Sequence, residues 1–134
     1  MKLRAQREGL AVKMTFAAAV VVNALVKLTA DNTVNIAGAN DFVIGRVVVA
    51  PKTINGVLIG TVELIGRIKE KIEIKVNQSG GVAAGDFVKS SSVDGTTGEN
   101  RVAKWVSGTD AFERNIGIVC KGAADTGVAE VLTF

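Results

Sequence analysis

Cys120 is the one thiol in a 134-residue chain that contains no histidine and no tyrosine. A cysteine nucleophile acts as a thiolate, and the usual means of making one is an adjacent imidazole. Only Lys121 adjoins Cys120 with a useful charge, and neighbouring residues of a strand point to opposite faces. Cys120 is therefore read as a small apolar residue packed in the core among Ile116, Ile118 and Val119. Without histidine, Ser-His-Asp and Cys-His mechanisms and histidine-based zinc sites are excluded. The six aspartates (Asp31, Asp41, Asp86, Asp94, Asp110 and Asp125) all neighbour turn residues, where the carboxylate binds nearby backbone N–H groups. No calcium-loop spacing and no phosphate-binding glycine spacing occurs among them. The residue inventory points away from an enzyme, and no cofactor or metal is expected.

Charge gives one further candidate. Residues 1–9, MKLRAQREG, carry Lys2, Arg4 and Arg7 with little apolar surface, which reads as a flexible basic arm suited to an acidic partner. The net charge of +3 is mild. Nucleic-acid binding would favour basic residues interleaved with exposed aromatics, and here one tryptophan and five phenylalanines are spread along the chain. Glu8 and Lys13 interrupt what would be the apolar region of a secretory signal, and the uncharged run over residues 14–26 is too short to span a bilayer.

The elements that must carry these residues are strands. Valine and isoleucine number 31 against 7 leucines, and β-branched side chains favour pleated sheet. The fold expected is mainly β, a small barrel or sandwich-like body over residues 10–134 following the arm. KIEIKV (71–76) alternates apolar and charged residues. Asn55-Gly56 is a strong hairpin dipeptide. The three valines at 20–22 favour strand, and Pro51 is expected to end a strand or mark an edge. Strands are read at 87–90 and 101–106, flanking an Asp94-Gly95 turn. One helical turn capped by Ser107 or Thr109 follows, then a final hairpin from strands 116–121 and 128–134.

Two regions resemble each other. Ile44-Gly45-Arg46-Val47 matches Ile116-Gly117-Ile118-Val119, Gly56-Val57 matches Gly127-Val128, and Leu25-Val26-Lys27 parallels Phe87-Val88-Lys89. This pattern suggests two related β units. A chain rich in valine and glycine also produces such matches by chance, so both readings stand at this level.

The second half carries a longer pattern: GGVAAGDFVKSSS, a polar excursion, RVAKW, then IGIVCKGAADTGVAEVLTF. It resembles the capsid cement, or head decoration, family of tailed bacteriophages. The matching positions are Gly81, Ala84, Gly85, Asp86, Val88, Trp105, Ile116, Gly117, Ala123, Ala124, Gly127 and Val131. Residues 20–80 fit more loosely. The resemblance implies a small β-barrel protein on the outer surface of an icosahedral head, self-associating as a homotrimer and clamping neighbouring major capsid subunits. Membrane and nucleic-acid partners are not expected. A trimer contact is expected on apolar stretches such as FAAAVVV (16–22), and the arm, through Lys2, Arg4 and Arg7, on the capsid. A tail-tube component, or a β-barrel module binding nucleic acid, is the alternative.

Overall fold

The computed structural model describes residues 11–64 and 71–133. The basic arm and the segment over 65–70 lie outside the described residues. Ten strands and one short 3-10 turn make up the regular structure, and no α-helix occurs among the described residues.

The strands form two closed barrels of five. The first contains β1 (Ala11–Phe16), β2 (Leu25–Ala30), β3 (Thr33–Ile36), β4 (Gly45–Ile54) and β5 (Val57–Leu64), joined in the order β1-β3-β2-β4-β5. The second contains β6 (Lys71–Val76), β7 (Phe87–Val93), β8 (Asn100–Lys104), β9 (Gly117–Lys121) and β10 (Val128–Thr133), joined as β6-β8-β7-β9-β10. In each barrel the first and third strands are parallel and all other neighbours antiparallel.

The same barrel thus occurs twice, and the registers superpose residue on residue. Val26 faces Gly45 as Val88 faces Gly117. Phe16 faces Val34 as Val76 faces Val102. Val47 faces Val62 as Val119 faces Val131. The match of Ile44–Val47 with Ile116–Val119 is therefore a structural equivalence. Gly56 and Gly127 each precede the closing strand, but their hairpins differ in length and they are not register partners.

Local chemistry explains the elements. Residues 71–76 alternate between exposed and buried as the sequence pattern requires, with Ile72, Ile74 and Val76 inward. Asn55 and Gly56 both have positive φ, 51° and 81°, as the tight β4–β5 hairpin demands. Gly45 and Gly117 sit where the closing strand passes closest. A Cβ there would stand 2.5 Å from the Glu63 carbonyl oxygen and 2.3 Å from that of Leu132, so only glycine fits. Each barrel encloses its own apolar cluster. Phe16, Val20, Val26, Val34, Val47 and Val62 fill the first; Ile72, Ile74, Val76, Val88, Val102, Ile116, Val119 and Val131 fill the second. Each such buried aliphatic chain contributes about 1.5–3 kcal/mol.

Three local expectations are corrected, and a fourth in part. The valines at 20–22 are not strand: β1 stops at Phe16, Val20 tucks into the core, and Val21 and Val22 are exposed. Pro51 does not end a strand but does lie on an edge stretch, since β2 pairs with β4 only at Gly45 and Arg46 and the rest of β4 is laddered to β5 alone. It lies inside β4 where the register skips between Val49 and Lys52, and a bulge spares the ladder the missing N–H. The turn near 112 is a 3-10 turn over Phe112–Arg114, preceded by Ala111 with no side-chain cap, so neither Ser107 nor Thr109 caps it. Cys120 is exposed rather than packed in the core. In β9 an extra residue separates Val119, paired with Val131, from Lys121, paired with Glu130. Gly117 and Val119 face inward, so the period-two alternation of β9 already turns Ile118 and Cys120 outward, and the bulge leaves Cys120 without a partner across the ladder. Val48 is the corresponding extra residue of the first barrel.

Candidate interaction surfaces

The barrels meet through a joint that neither makes alone. Leu25, Ala37 and Val43 of the first barrel belong to the apolar cluster of the second. Asn100, only 2 % exposed, stitches the backbones together. Its Oδ1 accepts from the Leu25 N–H at 2.7 Å and its Nδ2 donates to the Ala37 carbonyl at 2.6 Å. Asn40 N–H donates to the Ser90 carbonyl at 3.1 Å, and the Arg114 guanidinium donates to the Asn40 carbonyl. The polar excursion between β7 and β8, residues 94–99, reaches back across this joint, with Gly98 against Val21. A groove of about 500 Å³ runs beside it, lined by Asn23, Arg46, Glu73, Lys75, Asp94 and Glu99 among others. Its lysine is matched by acid: Lys75 Nζ lies 2.9 Å from Asp94.

A paired corner recurs in both barrels. Lys27 reaches Asp41 and Lys89 reaches Asp110, each at 2.7 Å. Each aspartate also accepts a backbone N–H, from Gly38 and from Val106 respectively, both at 2.7 Å. The lysine bond, helped by that N–H, holds both carboxyls below the ordinary aspartate range. Asp94 is held at about 2 by its bond to Lys75 and by the Thr96 N–H. Asp86 likewise accepts the Ala83 N–H, at 2.9 Å. Asp41, Asp86, Asp94 and Asp110 perform the expected turn chemistry and each binds a lysine as well, whereas Asp125 accepts the N–H of Gln78, 47 residues away. The lysine partners stand 14 and 21 residues before Asp41 and Asp110, so sequence alone did not single them out.

The second barrel also carries an aromatic patch. Trp105 packs edge-on against Phe87, with ring centroids 6.0 Å apart, and against Phe112 at 6.5 Å. The indole N–H is anchored on the Ala111 carbonyl at 2.9 Å. Phe112 is 77 % exposed and Val106 47 %. Two lysines near the patch are ion-paired: Lys89 with Asp110, and Lys104 with Asp86 at 3.4 Å.

The residues singled out in the sequence separate into framework and patch. Gly85 has a φ of 93° and donates its N–H to the Val119 carbonyl. Asn23 does the same toward Val47 in the first barrel with a φ of 74°. Asp86 fixes that turn, Ile116 is buried, Gly117 allows β10 to pass, and Gly127 leads into β10. Trp105 alone of this set belongs to an exposed cluster. Lys2, Arg4 and Arg7 lie outside the described residues. Within FAAAVVV, Phe16 and Val20 are buried, leaving the alanines with Val21 and Val22 at the surface. Cys120 Sγ contacts the Glu130 carbonyl at 3.3 Å. Among the described residues no three cysteine or acidic side chains converge as a metal site. No protein-family profile and no curated protein matches the chain.

Proposed function

We propose that this chain is a bacteriophage capsid decoration protein, binding the outer surface of an icosahedral head and stabilising contacts between major capsid subunits. The observation that carries this reading is the pattern in residues 81–131 that resembles the cement family, with Gly85, Asp86, Trp105, Ile116, Gly117 and Gly127 at its key positions. Two rigid closed barrels with exposed apolar side chains suit a protein whose work is contact rather than chemistry. Weak contacts repeated over a shell add through avidity. In this reading Lys2, Arg4 and Arg7 dock on the major capsid protein, and the copies on the head associate as trimers.

Sedimentation with undecorated expanded capsids tests it. Saturable co-sedimentation supports the proposal, and no saturable binding rejects it. Removing residues 1–9 is expected to weaken binding, and unchanged affinity would reject the arm as the anchor. The aromatic patch gives a nucleic-acid module some footing, since exposed rings can stack bases. Its nearby lysines are already paired with acids, which counts against that alternative. A steeply salt-dependent affinity for single-stranded DNA or RNA would reinstate it.

A further inference from the structure

The internal joint is a template for a contact between molecules. Because the barrels are equivalent, each face used in the joint has a counterpart on the other barrel that the joint leaves outside. Leu25 and Ala37, both fully buried where the barrels meet, correspond to Phe87 and Trp105. The correspondence is fixed by the ladders. Leu25 pairs with Arg46 as Phe87 pairs with Ile118, and Ala37 N–H donates to Leu25 as Trp105 N–H donates to Phe87. On the covering side, Ser90 and Asn100 correspond to Leu28 and Asn32. Ser90 pairs with Val102 as Leu28 pairs with Val34, and Asn100 and Asn32 each stand two residues before that valine.

We infer that a second copy of this chain docks the free end of its first barrel, centred on Leu28, onto the Trp105–Phe112 patch, repeating between molecules the joint that the two barrels make within one. Both counterparts carry the apolar surface such a contact needs. Leu28 is 54 % exposed where its equivalent Ser90 is covered, and the patch presents Phe112 and Val106 beside the half-buried indole. Aromatic side chains are the usual anchors of such contacts. Lys89 and Lys104 beside the patch are already paired with Asp110 and Asp86, so they do not compete for an acidic partner there. The contact is heterologous: face one of a copy meets face two of the next, so it closes into a ring or extends as a chain. It is weaker than the internal joint, because the two-residue Asp31-Asn32 turn of the first barrel supplies no equivalent of the 94–99 excursion. The inference rests on the internal joint and holds whether or not the chain decorates capsids.

The test uses the full-length chain in sedimentation velocity over a concentration series. The wild type is expected to rise above its monomer mass of 13.9 kDa as concentration increases. Phe112→Glu and Leu28→Glu each spoil one face, and each alone is expected to remain monomeric. Mixed in equal amounts, they retain one good face of each kind and are expected to form a dimer and nothing larger. Val106→Glu serves as a second patch variant, and the near-ultraviolet signal of Trp105 verifies that each variant is folded. A wild type that stays monomeric throughout overturns the inference. So does a Leu28→Glu variant that self-associates like the wild type, since the patch would then be meeting itself, and so does a mixture that stays monomeric.

Discussion

The first barrel and the second share a topology, a register and a bulge, yet their ends are made of different residues. Where the first presents Leu25 and Ala37 to a neighbour, the second presents Phe87 and Trp105. Where the second closes the joint with Asn100, the first has the exposed Asn32. Inside the barrels four equivalent positions keep the same residue, Val26 and Val88, Val34 and Val102, Val47 and Val119, Val62 and Val131, while buried Phe16 is matched by the smaller Val76. The interior is dictated by packing, which is the same problem solved twice. The ends are dictated by what they touch, and there the repeat diverges.

The sharpest way to break this comparison is at the asparagines. Asn100→Ala would leave the Leu25 N–H and the Ala37 carbonyl without partners, at about 1–3 kcal/mol for each group. Asn32 is exposed but has a φ of 52°, so the matched control is Asn32→Gly, which keeps that backbone and is expected to fall within about 0.5 kcal/mol of the wild type. Urea unfolding of the two variants measures the difference, and equal losses would mean that Asn100 does not hold the joint.

Next come the paired isoleucines. Ile116→Ala removes a buried side chain at a cost of about 2–5 kcal/mol, whereas Ile44→Ala, at the half-buried equivalent, should cost less. Thermal unfolding followed by circular dichroism ranks them. The glycines should instead agree. Gly45→Ala and Gly117→Ala each push a methyl into the closing strand, an overpacking of about 1–3 kcal/mol. Unequal losses would show that one barrel yields where the other cannot.

The smallest effect concerns acid. The folded pKa of Asp94, about 2, lies below the ordinary 3.8, so the unfolded chain binds the proton more readily. Its contribution to stability is complete above about pH 4–5 and is lost as the pH falls toward 2. Asp41 and Asp110 act in the same direction. Urea midpoints should therefore rise between pH 2 and 5 and then level off, and Asp94→Asn should flatten part of that rise. The first barrel's two-residue Asp31-Asn32 turn has no counterpart of Asp94, so a dependence left intact in Asp94→Asn would place the acid-sensitive groups elsewhere.

Much of the strand content was legible in the sequence. Period-two alternation at residues 71–76 and the Asn55-Gly56 turn are local signals, and local physics determines them. The internal match was visible but undecidable, because valine and glycine are common; the ladders that pair Val26 with Gly45 and Val88 with Gly117 decide it. Cys120 lies on the opposite phase of β9 from the inward Val119, and a nearly continuous apolar run such as residues 116–120 does not reveal which alternate residues face the core. Asn100 was overlooked because its partners lie 75 and 63 residues away and are backbone groups, which any residue could provide. The aromatic patch was seen only as scattered aromatics, since Phe87, Trp105 and Phe112 meet through barrel closure and the 3-10 turn.

Closure of the first barrel also bears on how this chain avoids aggregating. β5, VLIGTVEL, combines β-branched residues with a single charge, the composition of a segment prone to stack with copies of itself. In the folded protein it has no free side: β1 covers one flank and β4 the other. β1 is thus a lid on an adhesive strand. A chain cut back beyond Phe16 would offer β5 as an open template for its neighbours, exchanging discrete assembly for fibrous growth.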